Sequence, residues 1–354
     1  MHHREDRLVA RAMRRALLNW FRRNARRLPW RGVKSSYKIW VSEVMLQQTQ
    51  IATVLPYYRR FLRAFPTAKA LAEAPLEQVL QLWSGLGYYR RARNLHAAAR
   101  LLARKLKGQF PSDYGEARSL PGVGDYTARA VLSIAYNLPY TVLDGNVARV
   151  AARLRGYRGN HHQTRFRQAV ERDLKSLLAP RASGSFNQAL MELGQTVCLP
   201  RAPRCAICPL RKWCRAFRSG RPESYPAPRP RRATEARYLA AGVLRRGNSV
   251  AMVRGLDEDL LGDLWNFPAA FGRSSAEALG RLQDKLGEVF EGDIRCGECL
   301  YRLRHGITFR AIRVEVYPVE IPGKPLTSSL RWFPLSRLPR AAVSQLARKI
   351  AAQL

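Results

Sequence analysis

Four cysteines near the middle of the chain are spaced like the ligands of a metal centre. Cys198, Cys205, Cys208 and Cys214 form the pattern C-x6-C-x2-C-x5-C. So dense and regular a set, where no export leader is expected, favours one metal site over a disulfide framework. Zinc accepts four thiolates as readily as an iron–sulfur cluster does, although zinc sites usually use two close pairs. The spacing therefore predicts a metal centre and leaves both metals open.

A glycine-containing turn and a later aspartate form the second group of candidates. Residues 120–125 read Leu-Pro-Gly-Val-Gly-Asp, and Gly122 and Gly124 allow a tight turn whose N–H groups face a phosphate beside a helix start. Asp144 then precedes another helix, whose N-cap we assign to Asn146. On its own, Asp144 is interpreted most simply as a further helix cap.

The charge balance points to a polyanionic partner. The chain has 354 residues, with 62 Lys and Arg against 26 Asp and Glu, a net charge of +36. Residues 1–214 carry 38 basic and 12 acidic side chains. This surplus predicts salt-dependent binding to phosphates, although a composition biased toward arginine is the alternative explanation. No apolar run is long enough to cross a membrane, and with no export leader we expect a cytoplasmic protein of a bacterium.

Hydrophobic periodicity predicts a mainly α-helical region up to residue 215. The predicted helices span 7–24, 39–51, 90–106, 126–136, 146–157, 163–178 and 184–195. A Pro- and Arg-rich linker is predicted over residues 216–236.

An α+β domain is predicted over residues 237–354. Its predicted strands span 237–245, 249–254, 299–304 and 307–319, and its predicted helices span 275–287 and 338–353. Cys296 and Cys299, in this domain, are interpreted as ordinary thiols because a lone C-x-x-C is a weak signal.

Taken together, these motifs resemble the helix–hairpin–helix DNA glycosylases with an iron–sulfur loop, and within them the adenine DNA glycosylases of the MutY family. The resemblance covers residues 15–215 almost continuously. It rests on Leu28-Pro-Trp-Arg31, Trp40-Val-Ser-Glu-Val-Met-Leu-Gln-Gln-Thr-Gln50, the segment from Leu82 to Leu95, Leu120-Pro-Gly-Val-Gly124, Leu143-Asp-Gly-Asn-Val147, Phe186-Asn-Gln-Ala-Leu-Met-Glu-Leu-Gly194 and the cysteine loop 198–214.

The resemblance implies a catalytic region over 1–215, built as a six-helix barrel plus a cluster domain. It also implies a Nudix-like second domain over 237–354 that reads the opposite base, supported by Leu264-Trp-Asn-Phe-Pro268 and the strand around His305. The implied cofactor is a [4Fe–4S] cluster on the four cysteines. The implied partner is duplex DNA with adenine opposite 8-oxoguanine or guanine, bound by a monomer.

By the same resemblance, two carboxyl groups carry the reaction. Glu43 lies in an apolar stretch where burial raises its pKa, and is expected to protonate the adenine as general acid. Asp144 is expected to stabilise the cationic sugar, with Tyr126 and Asn146 supporting the pair. Tyr126 stands where bifunctional relatives carry a Schiff-base lysine, so a monofunctional glycosylase is expected.

The remaining expected contacts are to DNA. The base must be flipped out of the duplex. Positions implied to wedge the duplex and touch the opposite base are Gln48, Thr49, Leu86 and Tyr88, and those implied to line the adenine pocket are Trp30, Arg31, Ile51 and Gln188. The chain departs from the family where Ile307-Thr308-Phe309 replaces Phe-Ser-His, so only the Thr308 hydroxyl is retained. The box of true Nudix hydrolases is absent as well, so nucleotide hydrolysis is not expected.

Two other functions are compatible with parts of the sequence. A non-catalytic iron–sulfur protein that binds damaged DNA would not need both Glu43 and Asp144. A bifunctional glycosylase/lyase of the endonuclease III type would need a lysine in place of Tyr126.

Overall fold

The computed structural model describes residues 2–159, 163–227, 233–258, 260–307, 309–320 and 330–354. The chain divides into two compact units. The first unit comprises Met1–Glu73 and Asn94–Pro230, and the second comprises Ala74–Arg93 and Arg231–Leu354. Segment Ala74–Arg93, which the sequence places in the catalytic region, is thus grouped with the second unit. The domain boundaries at 215 and 236 remain a prediction, and residues 228–232 of the linker lie outside the described residues.

The region before residue 219 is helical, as its periodicity predicts. The helices are α1 (His2–Asn24), α2 (Ser36–Leu46), α3 (Ile51–Ala64), α4 (Ala68–Glu73), α5 (Leu76–Trp83), α6 (Arg90–Lys105), α7 (Tyr114–Ser119), α8 (Asp125–Tyr136), α9 (Gly145–Arg155), α10 (Thr164–Leu177), α11 (Ser183–Thr196) and α12 (Arg215–Arg218). Of these, α5 and the first turn of α6 belong to the second unit. None of the described helices is long and apolar enough to cross a membrane.

The predicted helix over 39–51 is wrong at its C-terminal end. Helix α2 stops at Leu46, and a turn separates it from α3, which begins at Ile51. Gln48 in that turn has a φ of 56°, a left-handed conformation that a continuous α-helix does not contain. The turn therefore presents its side chains at the end of α2.

Helix α1 packs against α9, α10 and α11 to form a core of the first unit. Met13 and Leu17 of α1 are buried in one apolar cluster with Ala151, Val170 and Phe186. Burying this stripe fixes the positions of α9 and α11, and both helices carry candidate site residues.

The second unit contains a mixed sheet. Its strands are β1 (Glu235–Arg246), β2 (Ser249–Leu256), β3 (Leu260–Asn266), β4 (Ala269–Gly272), β5 (Arg295–Cys296), β6 (Tyr301–Ile307), β7 (Arg310–Glu320) and β8 (Leu330–Pro334). Strand β1 pairs parallel with β7 and antiparallel with β2 and β4, whereas β6 pairs antiparallel with β7 and β8 with β2. The α+β class predicted for this part of the chain is confirmed.

Helices cover both faces of this sheet. Helix α13 (Ser275–Gly287) packs in one cluster with Ala240 and Leu244 of β1. Helix α14 (Gln345–Ala351) packs in the other cluster with Leu239 and Val243, because successive side chains of a strand point to opposite faces.

Two sequence predictions in this unit need correction. The boundary between the two strands predicted over 299–304 and 307–319 was wrong, because β6 continues to Ile307 and β7 begins only at Arg310 and pairs back onto it. The helix predicted over 338–353 is shorter: Leu335–Arg340 is a 3-10 helix that contains Pro339, and α14 begins after its N-cap Ser344. The proline and the cap explain the break.

Candidate active site

A cleft of about 1120 Å³ in the first unit brings together most of the predicted catalytic positions. Its walls come from the end of α2, the turn before α3, the starts of α8 and α9, and α11. The predicted site residues that line it are Glu43, Gln48, Thr49, Ile51, Tyr126, Asp144 and Asn146.

Glu43 is a buried acid at the floor of this cleft. It lies within α2 and is only 6% exposed. Burial raises the pKa of its carboxyl to about 7, and the negative charge of Asp144 adds to the increase. The Tyr126 hydroxyl donates to Glu43 Oε2 over 3.0 Å and opposes the increase in pKa, because it stabilises the carboxylate. At neutral pH, Glu43 is therefore poised between its acid and base forms.

Asp144 is the N-cap of helix α9. Its Oδ1 accepts from the backbone N–H of Val147 at 2.7 Å, and its Oδ2 accepts from Asn146 Nδ2 at 2.9 Å. The assignment of the N-cap to Asn146 was wrong, because Asn146 lies inside the first turn. Capping and a chemical role are compatible, since the same carboxylate also faces the cleft.

A chain of hydrogen bonds leads from Asp144 to the cysteine loop. Asn146 Oδ1 accepts from Arg149 Nη2 at 2.9 Å, and Arg149 Nε donates to the Cys198 carbonyl oxygen at 2.8 Å. The Gly194 carbonyl oxygen also accepts from Arg149, at 2.7 Å. A Cβ at Gly194 would lie 2.7 Å from the Asn146 Cβ, so only glycine permits this approach of α11 to α9.

A small pocket of about 40 Å³ lies behind Glu43. It is lined by Trp30, Arg31, Ile51 and Gln188, the four residues predicted to surround the flipped adenine. The structure thus brings these four side chains together beside the predicted acid.

Sequence reasoning missed the ion-pair cluster that supports this pocket. Glu192 of α11 is fully buried and pairs with Arg26 at 2.7 Å and with Arg31 at 2.6 Å. These two guanidinium groups lower the pKa of Glu192 to about 2, against the opposing effect of burial. An acid within an apolar helical segment, as at Glu43, is the sequence signal that could have revealed Glu192.

The hairpin glycines have the conformations that the turn needs. Gly122 has a φ of 74°, and a Cβ there would lie 2.6 Å from the Asn94 Cβ. Gly124 is the N-cap of α8 and has open space around it. The N–H groups at the start of α8 are therefore reachable by an anion.

The other predicted DNA contacts lie in the second unit or outside the described residues. Leu86 is buried, whereas Tyr88 is 46% exposed with a φ of 50°. Thr308 lies outside the described residues.

Two of the four loop cysteines form hydrogen bonds with a buried arginine. Arg153 Nη1 donates to Cys198 Sγ at 3.4 Å, and the thiol of Cys214 donates to the Arg153 carbonyl oxygen at 3.3 Å. Burial raises the pKa of Cys208 to about 12, and the negative charges of the three other cysteines add to the increase. Within the described ranges, no group of three or more Cys, His, Asp or Glu side chains is arranged to hold a metal ion.

The donor set nevertheless fits a thiolate cluster. The described contacts of the Arg153 guanidinium are to Cys198 Sγ and to the carbonyl oxygens of Leu199, Pro200 and Tyr225, with no carboxylate among them. A buried cation is stable only beside compensating negative charge, which metal-bound thiolates would supply. In the second unit, the Cys299 thiol donates a hydrogen bond to the Tyr301 carbonyl oxygen. Cys296 lies in β5, where its backbone pairs with Val319 of β7.

Comparison with known proteins identifies the class. Residues 41–179 match the family described as HhH-GPD superfamily base excision DNA repair protein. Among solved structures, a thermostable thymine-DNA glycosylase is 25% identical, with a TM-score of 0.56, over 62% of this chain and 100% of that one. Endonuclease III trapped in a covalent intermediate with DNA is 25% identical, with a TM-score of 0.51, over 60% and 98%. These matches place the helical region of the chain among proteins of base excision DNA repair.

Curated relatives narrow the class further. The adenine DNA glycosylase of Buchnera aphidicola (subsp. Acyrthosiphon pisum, strain APS) is 35% identical over 270 residues, which cover 76% of this chain and 77% of the relative. The human adenine DNA glycosylase is 33% identical over 403 residues, which cover 96% and 73%. The chain belongs to the adenine DNA glycosylase family, a family of DNA N-glycosylases. The resemblance found in the sequence is confirmed.

Proposed function

We propose that this protein flips adenine out of duplex DNA where it is mispaired with 8-oxoguanine or guanine, and hydrolyses its N-glycosidic bond. The observation that carries the proposal is the pair of unlike carboxyl groups in one cleft. Glu43 is buried with a raised pKa, whereas Asp144 accepts two hydrogen bonds at a helix N-terminus. Contrasting environments of this kind assign one acid and one anion to a glycosidic reaction.

Glu43 supplies the proton. In its neutral form it protonates N7 of adenine, so that the electron pair of the breaking C1′–N9 bond moves onto a neutral leaving base. The carboxylate that remains then accepts a proton from the water that attacks C1′. Tyr126, which donates to Glu43, holds the carboxyl in one orientation throughout.

Asp144 stabilises the positive charge that develops on the sugar. Its backbone and side-chain donors hold the carboxylate in place before the substrate arrives, so little reorganisation accompanies the reaction. Asn146 is a positioning residue, because it acts through the Asp144 carboxylate.

Strand cleavage is not part of the proposed activity. A lyase needs an amine that forms a Schiff base with the sugar, and none of the side chains that line the described cleft is a lysine. The bifunctional alternative is therefore not favoured, and neither is a non-catalytic DNA-binding role, which leaves the buried acid unexplained.

DNA is bound by several parts of the chain. The turn at Gly122 and Gly124 receives a phosphate, in keeping with its exposed N–H groups. The duplex is wedged at Gln48 and Thr49 and at Leu86 and Tyr88. The flipped adenine enters the pocket of Trp30, Arg31, Ile51 and Gln188.

We assign the reading of the opposite base to the Nudix-like second domain, with Thr308 as its hydroxyl contact. The protein acts as a monomer on bacterial chromosomal DNA.

We assign a [4Fe–4S] cluster to Cys198, Cys205, Cys208 and Cys214. The cluster supplies a rigid, negatively charged crosslink of the loop when bound. Arg153 is the residue that compensates this charge, and visible absorbance together with iron and sulfide content would distinguish the cluster from zinc.

A panel of duplexes tests the proposal. Adenine opposite 8-oxoguanine, guanine, cytosine or thymine is incubated with excess protein, and released adenine and alkali-labile strands are measured. We expect release opposite 8-oxoguanine and guanine, strand breaks only after alkali, and no release by Glu43→Gln or Asp144→Asn. Equal activity of Glu43→Gln and the unmodified protein, or efficient borohydride trapping on DNA, would overturn it.

A further inference from the structure

The turn that carries Leu86 and Tyr88 begins at a buried serine. Ser84 is the C-cap of α5, and its side chain lies within the second unit, together with the C-terminal helix α14. The turn is therefore grouped by its contacts with the domain to which reading of the opposite base is assigned.

Ser84 is held by a clamp built from α14 and the segment before it. Its hydroxyl donates to the Val343 carbonyl oxygen at 2.9 Å and accepts from Arg348 Nε and Nη2 at 3.2 and 2.9 Å. The same guanidinium donates to the carbonyl oxygens of Pro339 and Ala341 at 2.6 and 3.3 Å. The acceptors thus surround one planar cation, which fixes Ser84 in position and direction.

The turn beyond Ser84 is internally rigid. Gly85 and Gly87 have φ values of 100° and 76°, and the Trp83 indole donates to the Gly87 carbonyl oxygen at 3.1 Å. The Arg91 guanidinium lies over the Tyr88 ring, 5.2 Å from its centroid. A displacement of Ser84 would therefore be transmitted to Tyr88 instead of being absorbed by a flexible loop.

A second link between this segment and the sheet is weak. Glu77 and Arg254 approach to 3.9 Å, but both side chains are more than two fifths exposed. Exposed pairs of this kind contribute little to stability. Of these two links among the described residues, the buried clamp at Ser84 is the stronger.

We propose that Arg348 and Ser84 are positioning residues for the DNA wedge, so that the domain that reads the opposite base also sets the turn that opens the duplex. This inference rests on the proposed function, which assigns Leu86 and Tyr88 to the wedge. It links recognition of the opposite base to flipping of the adenine, because the unit that contacts the opposite base also aligns the wedge.

The experiment compares Arg348→Ala and Ser84→Ala with Lys349→Ala. Lys349 is the exposed neighbour of Arg348 on α14, and its loss removes the same charge. Two quantities are measured on the full-length protein: single-turnover release of adenine opposite 8-oxoguanine, and the fluorescence of 2-aminopurine placed beside the target adenine, which increases when the base stack opens.

We expect Arg348→Ala and Ser84→Ala to reduce both the excision rate and the fluorescence increase about tenfold, since small misplacements of positioning groups have effects of this size or larger. Lys349→Ala should stay within about twofold of the unmodified protein. In a Tyr88→Ala background, Arg348→Ala should have little further effect, because Arg348 acts through the turn.

An unchanged fluorescence increase in Arg348→Ala, or a full additional loss in the Tyr88→Ala background, would overturn the proposal. If Arg348→Ala does not fold, Arg348→Lys and Ser84→Ala decide the matter, because both keep charge and core volume nearly constant. Failure of the unmodified protein to release adenine would refute the proposed activity, whereas the fluorescence comparison would still test the clamp.

Discussion

Replacing Tyr126 by Phe should move the pH dependence of base excision toward alkali. The Tyr126 hydroxyl stabilises the Glu43 carboxylate and so lowers its pKa, while burial and the Asp144 charge, which both raise it, remain in the variant. A hydrogen bond to a charged group contributes about 1.5–3 kcal/mol, and one pKa unit corresponds to about 1.4 kcal/mol, so the pKa should rise by about one to two units. Because the proposed mechanism needs protonated Glu43, we expect activity to be lost as the pH rises through this pKa.

The assay is the single-turnover excision rate between pH 5.5 and 9.5. For the unmodified protein, with a Glu43 pKa of about 7, the rate at pH 8 should be about a tenth of its acid plateau. In Tyr126→Phe, the midpoint should lie near pH 8 to 9, whatever happens to the plateau. Tyr136→Phe is the matched control, since it also removes a tyrosine hydroxyl from helix α8. That hydroxyl donates to the Phe110 carbonyl oxygen and not to Glu43. A midpoint that stays in place or moves toward acid would refute the assignment of Glu43 as the acid.

Three further changes test the surrounding structure. Gly194→Ala should slow excision about tenfold with unchanged DNA affinity in a mobility shift, because its methyl group would meet Asn146 and displace the residue that orients Asp144. Glu192→Gln should lower the free energy of unfolding by about 3 kcal/mol at pH 7, as measured by urea denaturation. The difference in this free energy between the variant and the unmodified protein should become smaller as the pH falls toward 2, because native Glu192 also becomes protonated there. Arg153→Met should reduce the iron retained per protein after gel filtration, and full retention would contradict its assigned role.

Residues whose roles depend on local chain chemistry could be predicted from the sequence. Periodicity located α1, α8, α9 and α11, and the apolar stretch around Glu43 predicted its burial. The glycine turn before α8 could also be predicted, because its conformation depends on residue type. Each of these features is encoded within about ten neighbouring positions.

The rest depends on contacts between distant segments. Glu192 meets Arg26 and Arg31 across more than 160 positions, so no local pattern reveals that its charge is paired. The same holds for the clamp between Ser84 and Arg348. The wrong N-cap assignment at Asn146 has a different cause, because Asp144 and Asn146 are both good capping residues and lie within one turn of each other. The hydrogen bond from the Val147 N–H to Asp144 decides between them, and it is seen only in the structure.

The contrasting surroundings of the two carboxyl groups follow from where each lies on its helix. Glu43 lies inside α2, where the main-chain N–H groups are already bonded within the helix, so Tyr126 is its identified donor and burial favours the neutral acid. Asp144 occupies the N-cap of α9, where its carboxyl group accepts from the Val147 N–H at the positive end of the helix. Exchanging the two side chains, with Asp at position 43 and Glu at position 144, would preserve both charges but lose the short cap and the reach of the acid. The proposed roles of the two carboxyl groups therefore depend on their backbone positions. Glu43 alone would lack the helix N-terminus proposed for stabilising the sugar cation, and Asp144 alone would lack the burial proposed for the acid.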